Sequence, residues 1–238
     1  MNIALIGYGR MGHEIEEMAV RRGHVIKLVI DIDNRQDFNE SKFHDIDAAI
    51  EFSVPESAFT NVSKCLNMKK PVVSGTTGWL GDYNKAVEIC SKNATSFIHS
   101  SNFSVGVNLM FRLNSELAAY MDKLSDYNVT IEEIHHIKKI DAPSGTAIML
   151  ADGIIKKHRK YNGWSTPDKQ DPSRIPVTSV REGNVPGTHI VEWDSDIDRI
   201  SLKHEAKGRK GLALGAVLAA EYIATRKGVF TMNDVLGF

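Results

Sequence analysis

The chain has 238 residues, enough for one large domain or two modest ones, and we expect two. Hydrophobic residues make up 42% and charged residues 25%, as in globular proteins, and the net charge of -1 offers no broad basic surface for nucleic acid. The first apolar run is too short for a signal peptide and no later run approaches the roughly 20 residues of a membrane span, so we expect a cytoplasmic protein that acts on a small molecule, without a membrane or nucleic-acid partner.

Short apolar runs alternate with helical periodicity over the first hundred residues. The runs lie at 2–6, 25–30, 48–52, 71–74 and 96–99. Such runs are typical of strands buried on both faces of a parallel sheet, with helices in the right-handed crossovers between them. We therefore predict a Rossmann-like α/β dinucleotide-binding domain at 1–104. We add 209–238 to it, because the last helical stretch, about 212–226, is apolar enough to require burial.

A glycine-rich turn follows the first strand and opens the first helix. Gly7, Gly9 and Gly12 form the pattern G-x-G-x-x-G. In this context the first glycine permits the tight turn, the second lets a phosphate approach the backbone, and the third lets helix and strand pack closely. With Arg10 and Met11 they predict a pyrophosphate site on the free N–H groups of the helix N-terminus. The pattern alone would also fit an ordinary turn that binds nothing.

An acidic residue follows the second strand, where dinucleotide-binding domains hold the adenine-side ribose. Asp31 lies close to the expected spacing of roughly 20 residues from the glycine turn, and its carboxylate can accept hydrogen bonds from ribose hydroxyls. Asp33 is the alternative for this role, and Arg35 could pair with a 2'-phosphate. We therefore predict NADH or NADPH as the cofactor, and Asp31 favours NAD.

The pattern changes after residue 104. A helical pattern at 107–121 is followed by another helix at about 146–158 and by alternating strand patterns at 129–136, 175–181, 188–193 and 199–204. Alternation indicates strands covered on one face only, so we predict an α+β domain at 105–208 with a mixed or antiparallel sheet of about four strands. Its other face requires a partner. The segment 161–172 is rich in Gly, Pro, Asp and Lys, which predicts an exposed loop that could act as a lid.

Residues 132–146 form the densest cluster of titratable and turn residues in the chain. Neighbouring histidines on a strand point to opposite faces, so His135 and His136 should not ligate one metal together, and we predict no metal. An imidazole that titrates near neutrality and the nearby Lys139 can supply a proton and a positive charge to an anionic substrate. The cluster therefore predicts acid–base chemistry.

A helix start follows this cluster directly. The backbone N–H groups there, with the Ser144 and Thr146 hydroxyls, can bind a carboxylate, and Gly145 permits close approach. The alternative is a strand end with solvated lysines and an ordinary helix cap, which each residue taken alone would favour. The clustering of these residues within fifteen positions favours a functional site.

Several blocks of the chain resemble, in order, those of the 4-hydroxy-tetrahydrodipicolinate reductase family. The blocks are G-Y-G-R-M-G at 7–12, S-G-T-T-G at 74–78, S-N-F-S-V-G-V-N at 101–108, E-I-H-H-I-K-K-I-D-A-P-S-G-T at 133–146, R-E-G at 181–183 and G-T-H at 187–189. The resemblance implies NADH- or NADPH-dependent reduction of 4-hydroxy-tetrahydrodipicolinate to tetrahydrodipicolinate in lysine and diaminopimelate biosynthesis. It also implies a homotetramer formed through the second sheet, so that 105–208 would bind substrate and form the tetramer.

The same resemblance implies roles for individual residues. His135 would be the acid–base residue and Lys139 a second proton donor. Substrate contacts would come from His136, Gly145 and Thr146. The nicotinamide and its ribose would lie against the residues after the fourth and fifth strands, namely Gly75, Thr76, Thr77, Ser100, Ser101, Asn102 and Phe103.

Two other functions share part of this pattern. Another two-domain dehydrogenase, such as one acting on an amino-acid semialdehyde, would share the cofactor domain but would need a different catalytic block. A non-catalytic dinucleotide sensor would keep the glycine turn and have no use for the clustered histidines and lysine. Residues 133–146 therefore favour the reductase over both.

Overall fold

The computed structural model describes residues 1–169 and 171–238, which divide into two compact units. Unit 1 contains Met1–Val105 and Arg209–Phe238, and unit 2 contains Gly106–Gly208. Within the described part of the chain, no helix is long and apolar enough to cross a membrane.

Unit 1 is built around a parallel sheet of six strands. In chain order they are Asn2–Ile6 (β1), Val25–Ile30 (β2), Ala48–Glu51 (β3), Val72–Ser74 (β4), Ser96–His99 (β5) and, after the five strands of unit 2, Gly228–Phe230 (β11). Their order across the sheet is β11-β5-β4-β3-β1-β2, and all five pairings are parallel. The first five strands match the predicted apolar runs to within a residue, so the predicted Rossmann-like sheet is confirmed.

Helices cover both faces of this sheet. They are Arg10–Arg21 (α1), Glu40–Phe43 (α2), Pro55–Asn67 (α3), Tyr83–Lys92 (α4), Lys210–Ile223 (α7) and Met232–Leu236 (α8). On one face α1 and α7 pack against the strands through residues such as Ile15 and Val217. On the other face α3 and α4 do so through residues such as Val62 and Ala86. The apolar surface of α7 is thereby buried against the first sheet.

The strand order sets where a ligand can bind in unit 1. The chain passes from β1 to β2 on one side and returns to β3 on the other, so β1 lies between β2 and β3. In open parallel sheets, the crevice outside the carboxyl ends of the strands at such a reversal is the usual ligand site. The glycine turn after β1 lies at this edge.

The described residues of unit 2 form a mixed sheet of five strands with two helices, which confirms the predicted α+β class. Its elements are Val105–Met121 (α5, starting at the unit boundary), Asn128–His135 (β6), Gly145–Ile155 (α6), Gly163–Ser165 (β7), Arg174–Arg181 (β8), Thr188–Asp194 (β9) and Arg199–Glu205 (β10). The strand order is β10-β9-β6-β8-β7. The β10/β9 and β9/β6 pairs are antiparallel, whereas β6/β8 and β8/β7 are parallel.

Alternation along the strands determines which face of the second sheet is buried. Val129 and Ile131 of β6 are buried together with Val191 and Trp193 of β9, in a core that α5 and α6 complete. Thr130 and Glu192, which lie between these residues along the strands, point to the opposite face, where Thr130 is exposed and Glu192 is half-buried. The sheet is therefore covered by helices on the face that includes Val129, as period-2 strands require.

The predicted exposed loop at 161–172 is wrong at its start. Tyr161 is 5% exposed, and its hydroxyl accepts a hydrogen bond from the Val129 N–H at 3.2 Å. Gly163–Ser165 then pair with β8 as a fifth, edge strand. Three residues are too few to show the alternation typical of a strand, so the composition of the segment predicts a loop. The segment forms a strand because it pairs with β8. Gln170, in the same segment, lies outside the described residues.

Candidate active site

The glycine turn of unit 1 combines two closely packed glycines with one that faces open space. Gly7 has a φ of +90°, and a Cβ there would lie 2.1 Å from the Phe52 carbonyl oxygen, so only glycine fits. At Gly12 a Cβ would lie 2.6 Å from the Gly7 carbonyl oxygen, which explains the close approach of helix and strand. At Gly9, a Cβ would meet no atom of the described residues within 4 Å, so the backbone there faces open space.

Helix α1 begins at this open space. Gly9 is its N-cap, and Arg10 and Met11 form its first turn. As a glycine, the N-cap residue has no side chain to accept hydrogen bonds from the first N–H groups of the helix. Those groups and the positive end of the helix dipole suit a negatively charged ligand, so the turn fits the pyrophosphate of a dinucleotide.

A cleft of about 540 Å³ lies beside the glycine turn. Its lining includes Gly7, Gly9, Asp31 and Arg35, and its volume is within the usual range for small-molecule sites. Asp33 is not part of the described lining, so Asp31 is the better placed of the two carboxylates. The cleft brings Gly7 and Gly9 of the predicted pyrophosphate site together with Asp31, whereas Arg10, Met11 and Gly12 are not part of its described lining.

A buried carboxylate joins the loops that follow β3 and β4. Glu51, the last residue of β3, is fully buried and accepts hydrogen bonds from the Ser53 N–H at 3.0 Å, from Ser74 Oγ at 2.6 Å and from Thr76 Oγ1 at 2.7 Å. The Ser53 hydroxyl donates to the same carboxylate. Sequence reasoning missed Glu51, although a single charge at the end of an apolar run was a usable signal. It fixes Thr76, a predicted nicotinamide contact.

The backbone carbonyl of Thr76 is held from the other side. It accepts hydrogen bonds from Trp79 Nε1 at 2.8 Å and from His99 Nε2 at 3.0 Å. Burial lowers the pKa of His99. At Gly75 a Cβ would lie 2.1 Å from the Phe52 ring, so a side chain there would force that ring to move. The loop after β4 is therefore tightly held, while Thr77, next along it, is exposed.

The loop after β5 is held by hydrogen bonds between one of its side chains and its own backbone. Ser100 Oγ donates to the Asn102 carbonyl at 2.9 Å and accepts from the Asn102 N–H at 3.2 Å. The Ser100 N–H donates to the Ser74 carbonyl at 3.2 Å, which joins this loop to the end of β4. Ser101 is exposed, whereas the Phe103 side chain is buried in the core, so only the Phe103 backbone can contact a cofactor.

In unit 2, His135 ends β6 in a nearly buried position. Its side chain is 9% exposed, and Nδ1 lies 3.4 Å from Glu133 Oε2. Burial lowers the pKa of His135, and the negative charge of Glu133 opposes that effect. At Gly187 a Cβ would lie 3.0 Å from His135 Nε2, so glycine leaves room for the ring. His136 lies just beyond the strand and is half-buried.

Lys139 lies in the loop between β6 and α6, near His135. Its N–H donates to the His136 carbonyl at 3.0 Å, and its Nζ pairs with Asp141 Oδ1 at 2.8 Å. Lys139 lies close enough to lower the pKa of His135. Arg181 of β8 donates to the Asp141 carbonyl at 2.6 Å, so the loop is fastened to the sheet. The structure thus places the two predicted proton donors in one cluster.

The N-terminus of α6 also belongs to this cluster. Ser144 is its buried N-cap, and Ser144 Oγ accepts from the Ala147 N–H at 3.2 Å. A Cβ at Gly145 would meet no described atom within 4 Å, so the first turn is open to a ligand there. Thr146 is half-buried in the same turn. The predicted carboxylate site is therefore accessible at Gly145, while Ser144 serves as a structural cap.

Three polar residues around His135 were missed by sequence reasoning as members of the site. Glu133 is fully buried and pairs with Arg181 at 2.9 Å, and the pKa of buried His189 is lowered to about 4 by burial. Potential metal-ligand atoms of Glu133, His135 and His189 lie within 4.8 Å of one another. Arg181 already balances the carboxylate charge, and the absence of a metal stays a prediction. The alternation of a strand predicts that residues 133 and 135 share one face. The pairing of Glu133 with His189 depends on how β6 and β9 align, which the sequence does not indicate.

Comparison with known proteins decides the family. Models of the N-terminus and the C-terminus of dihydrodipicolinate reductase match residues 1–103 and 106–236. A 4-hydroxy-tetrahydrodipicolinate reductase of Christiangramia forsetii is 55% identical over 99% of this chain and 98% of its own. The chain belongs to the dihydrodipicolinate reductase family. A reductase of the same name in Neisseria meningitidis is 34% identical over 80% of this chain and 72% of its own.

Solved structures agree with this assignment at the level of the fold. A dipicolinate-bound dihydrodipicolinate reductase from Paenisporosarcina sp. TG-14 superposes with a TM-score of 0.81 at 23% identity, over 97% of both chains. An aspartate semialdehyde dehydrogenase from Vibrio cholerae gives a TM-score of 0.52 at 14% identity, over 94% of this chain and 96% of its own. The fold is thus shared with other dehydrogenases, and the family match selects the reductase over the semialdehyde dehydrogenase and the sensor.

Proposed function

We propose that this protein reduces 4-hydroxy-tetrahydrodipicolinate to tetrahydrodipicolinate with NADH or NADPH, a step of lysine and diaminopimelate biosynthesis. The observation that carries the proposal is the cluster of His135, Lys139 and the open α6 N-terminus in a chain that matches the reductase family over both units. A semialdehyde dehydrogenase would need a different catalytic block, and a sensor would have no use for this cluster.

The reaction removes the ring hydroxyl as water and adds a hydride and a proton across the resulting double bond. When bound, a reduced nicotinamide would supply the hydride, which we assign to C4 of the ring. His135 and Lys139 provide the proton as negative charge develops on the ring. His136, Gly145 and Thr146 bind substrate, with the α6 N-terminus directed at a carboxylate. Fixed donors of this kind stabilise charge without reorganisation during the reaction.

The preference for NADH or NADPH depends on the residues that line the cleft in unit 1. We propose that Gly7 to Gly12, including Arg10 and Met11, bind the pyrophosphate and that Asp31 binds the adenine-side ribose. Arg35 lines the same cleft and can pair with a 2'-phosphate, which supports use of both NADH and NADPH. The nicotinamide half is assigned to the residues after β4 and β5, namely Gly75, Thr76, Thr77, Ser100, Ser101, Asn102 and the Phe103 backbone.

We also propose a cytoplasmic homotetramer. Cys65 and Cys90 are buried free thiols, which suits a reducing compartment. Ile134, Val180 and Ile190 are partly exposed on the face of the second sheet opposite the helices, and a second copy would bury them.

The direct test is an assay with the condensation product of pyruvate and aspartate semialdehyde, following loss of the absorbance of reduced nicotinamide. We expect turnover with NADH or NADPH, and none when aspartate semialdehyde is omitted. Lys139→Ala should reduce kcat by about 100-fold or more without weakening NADH binding, because a positioned proton donor contributes roughly 10²–10⁴-fold.

Lys138→Ala is the matched control for this variant, since Lys138 is the exposed neighbour in the same loop. Its kcat should stay near that of the wild type. Absence of turnover with both cofactors would refute the proposed reaction. Equal kcat values for Lys139→Ala and Lys138→Ala would refute the role of Lys139.

A further inference from the structure

A single buried carboxylate lies between the histidine of the proposed site and the start of α6. Glu133 lies on β6, two residues before His135, and therefore on the same face of the sheet. Its Oε1 accepts hydrogen bonds from the Ser144 N–H at 3.0 Å and from Arg181 Nη2 at 2.9 Å. Its Oε2 lies 3.4 Å from His135 Nδ1 and 3.9 Å from His189 Nε2.

Glu133 is charged despite being fully buried. A buried carboxylate requires an opposite charge or hydrogen-bond donors, and Arg181 and Ser144 provide both. Burial raises the pKa of Glu133, but the hydrogen bonds from Ser144, Arg181 and Ser179 outweigh this effect, so that its pKa lies below the usual value. The carboxylate therefore faces His135 as an anion at neutral pH.

An anion beside Nδ1 determines which nitrogen of His135 exchanges a proton. It favours the tautomer that carries its proton on Nδ1, which leaves Nε2 as the nitrogen that gains and releases a proton. Nε2 lies on the side of the ring next to Gly187, which leaves it room. The His189 ring packs edge-on against His135 with centroids 5.1 Å apart and limits rotation of the imidazole.

We propose that Glu133 is a positioning residue for the reduction. Its carboxylate sets the tautomer and orientation of His135 and, through the Ser144 N–H, the place of the α6 N-terminus that binds a substrate carboxylate. This inference rests on the proposed function, because it assigns Glu133 a role in the same reaction. Arg181 supports that role by balancing the charge and by holding the loop that carries Lys139.

Glu133→Gln tests the charge with little change of shape. We expect kcat to fall by about 10- to 100-fold, a part of the roughly 10²–10⁴-fold that general acid–base catalysis supplies. The negative charge of Glu133 raises the pKa of His135, so without it the protonated imidazole should be lost at lower pH. The alkaline limb of the kcat profile should therefore move to lower pH.

The Michaelis constants separate the two parts of the proposal. In Glu133→Gln the amide oxygen of the new side chain can still accept from the Ser144 N–H, so KM for the substrate should stay nearly unchanged. Glu133→Ala removes that acceptor as well and should also raise KM for the substrate. Neither variant should change KM for NADH, because the predicted cofactor residues all belong to unit 1.

Glu116→Gln is the matched control. Glu116 is a carboxylate of the same unit that also pairs with an arginine, Arg112 at 2.7 Å, but on the surface of α5. Its kcat and pH profile should equal those of the wild type. A wild-type pH profile and kcat for Glu133→Gln would overturn the inference.

A measurement on the unmodified protein avoids dependence on the folding of a variant. The ¹⁵N chemical shifts of the His135 ring report which nitrogen carries the proton in the neutral form. We expect the Nδ1–H tautomer, and the Nε2–H tautomer would contradict the role of Glu133. If the wild type reduced no substrate, the proposed function would fail, whereas an active wild type with the wrong tautomer would refute only this inference.

Discussion

Two glycines of one turn are required for different physical reasons. Gly7 has a left-handed backbone and lies against the Phe52 carbonyl, so its constraint comes from the protein itself. Gly9 has an ordinary φ of -79° and open space where a side chain would be, so we attribute its constraint to the proposed dinucleotide. Substitutions at these two glycines should therefore affect stability and dinucleotide binding separately.

Gly9→Ala should retain the fold and lose affinity for the dinucleotide. The added methyl would meet the phosphates, whereas the cost to the helix N-cap is less than about 1 kcal/mol. Gly7→Ala should instead destabilise the protein by about 1–3 kcal/mol or more, because strain adds to the clash. Denaturant unfolding and NADH titration of both variants check this. Wild-type NADH affinity in Gly9→Ala would contradict the assigned phosphate position.

At the scale of elements, Glu51 holds together the ends of β3 and β4. Glu51→Ala should lower the free energy of unfolding by about 1–3 kcal/mol or more, because buried donors lose their acceptor. It should also raise KM for NADH, since Thr76 would no longer be fixed. Glu88→Ala, an exposed substitution on α4, is the control. A destabilised Glu51→Ala with unchanged KM would show that Glu51 supports the fold alone.

The elements differ in how far the sequence predicted them. Strands β1 to β5 were predicted because buried parallel strands are continuous apolar runs, which is a local signal. The three-residue strands β7 and β11 show no alternating pattern, and they form because β8 and β5 lie beside them and pair with them. The glycine turn and Asp31 were predicted from local spacing. Glu51 and Glu133 were missed as site members, because donors to their carboxylates lie 23 and 48 residues away.

At the scale of the whole molecule, the proposed homotetramer would form through the face of the unit 2 sheet that carries Ile190. We expect light scattering to give a mass of about four times the 26.4 kDa of the chain. Ile190→Glu should lower that mass, because it would place a charge in the proposed interface. Ile200→Glu, on the opposite face of the same sheet, is the control. A monomeric wild type at all concentrations would contradict the homotetramer.

The reduction that we propose transfers a hydride from the reduced nicotinamide to C4 of the substrate ring. NADH carrying deuterium at both C4 positions of the nicotinamide tests it most directly, with the product analysed by NMR and mass spectrometry. We predict one deuterium per product molecule, at C4 of the tetrahydrodipicolinate ring. Product without deuterium, or NADH oxidation without reduced product, would refute this hydride transfer.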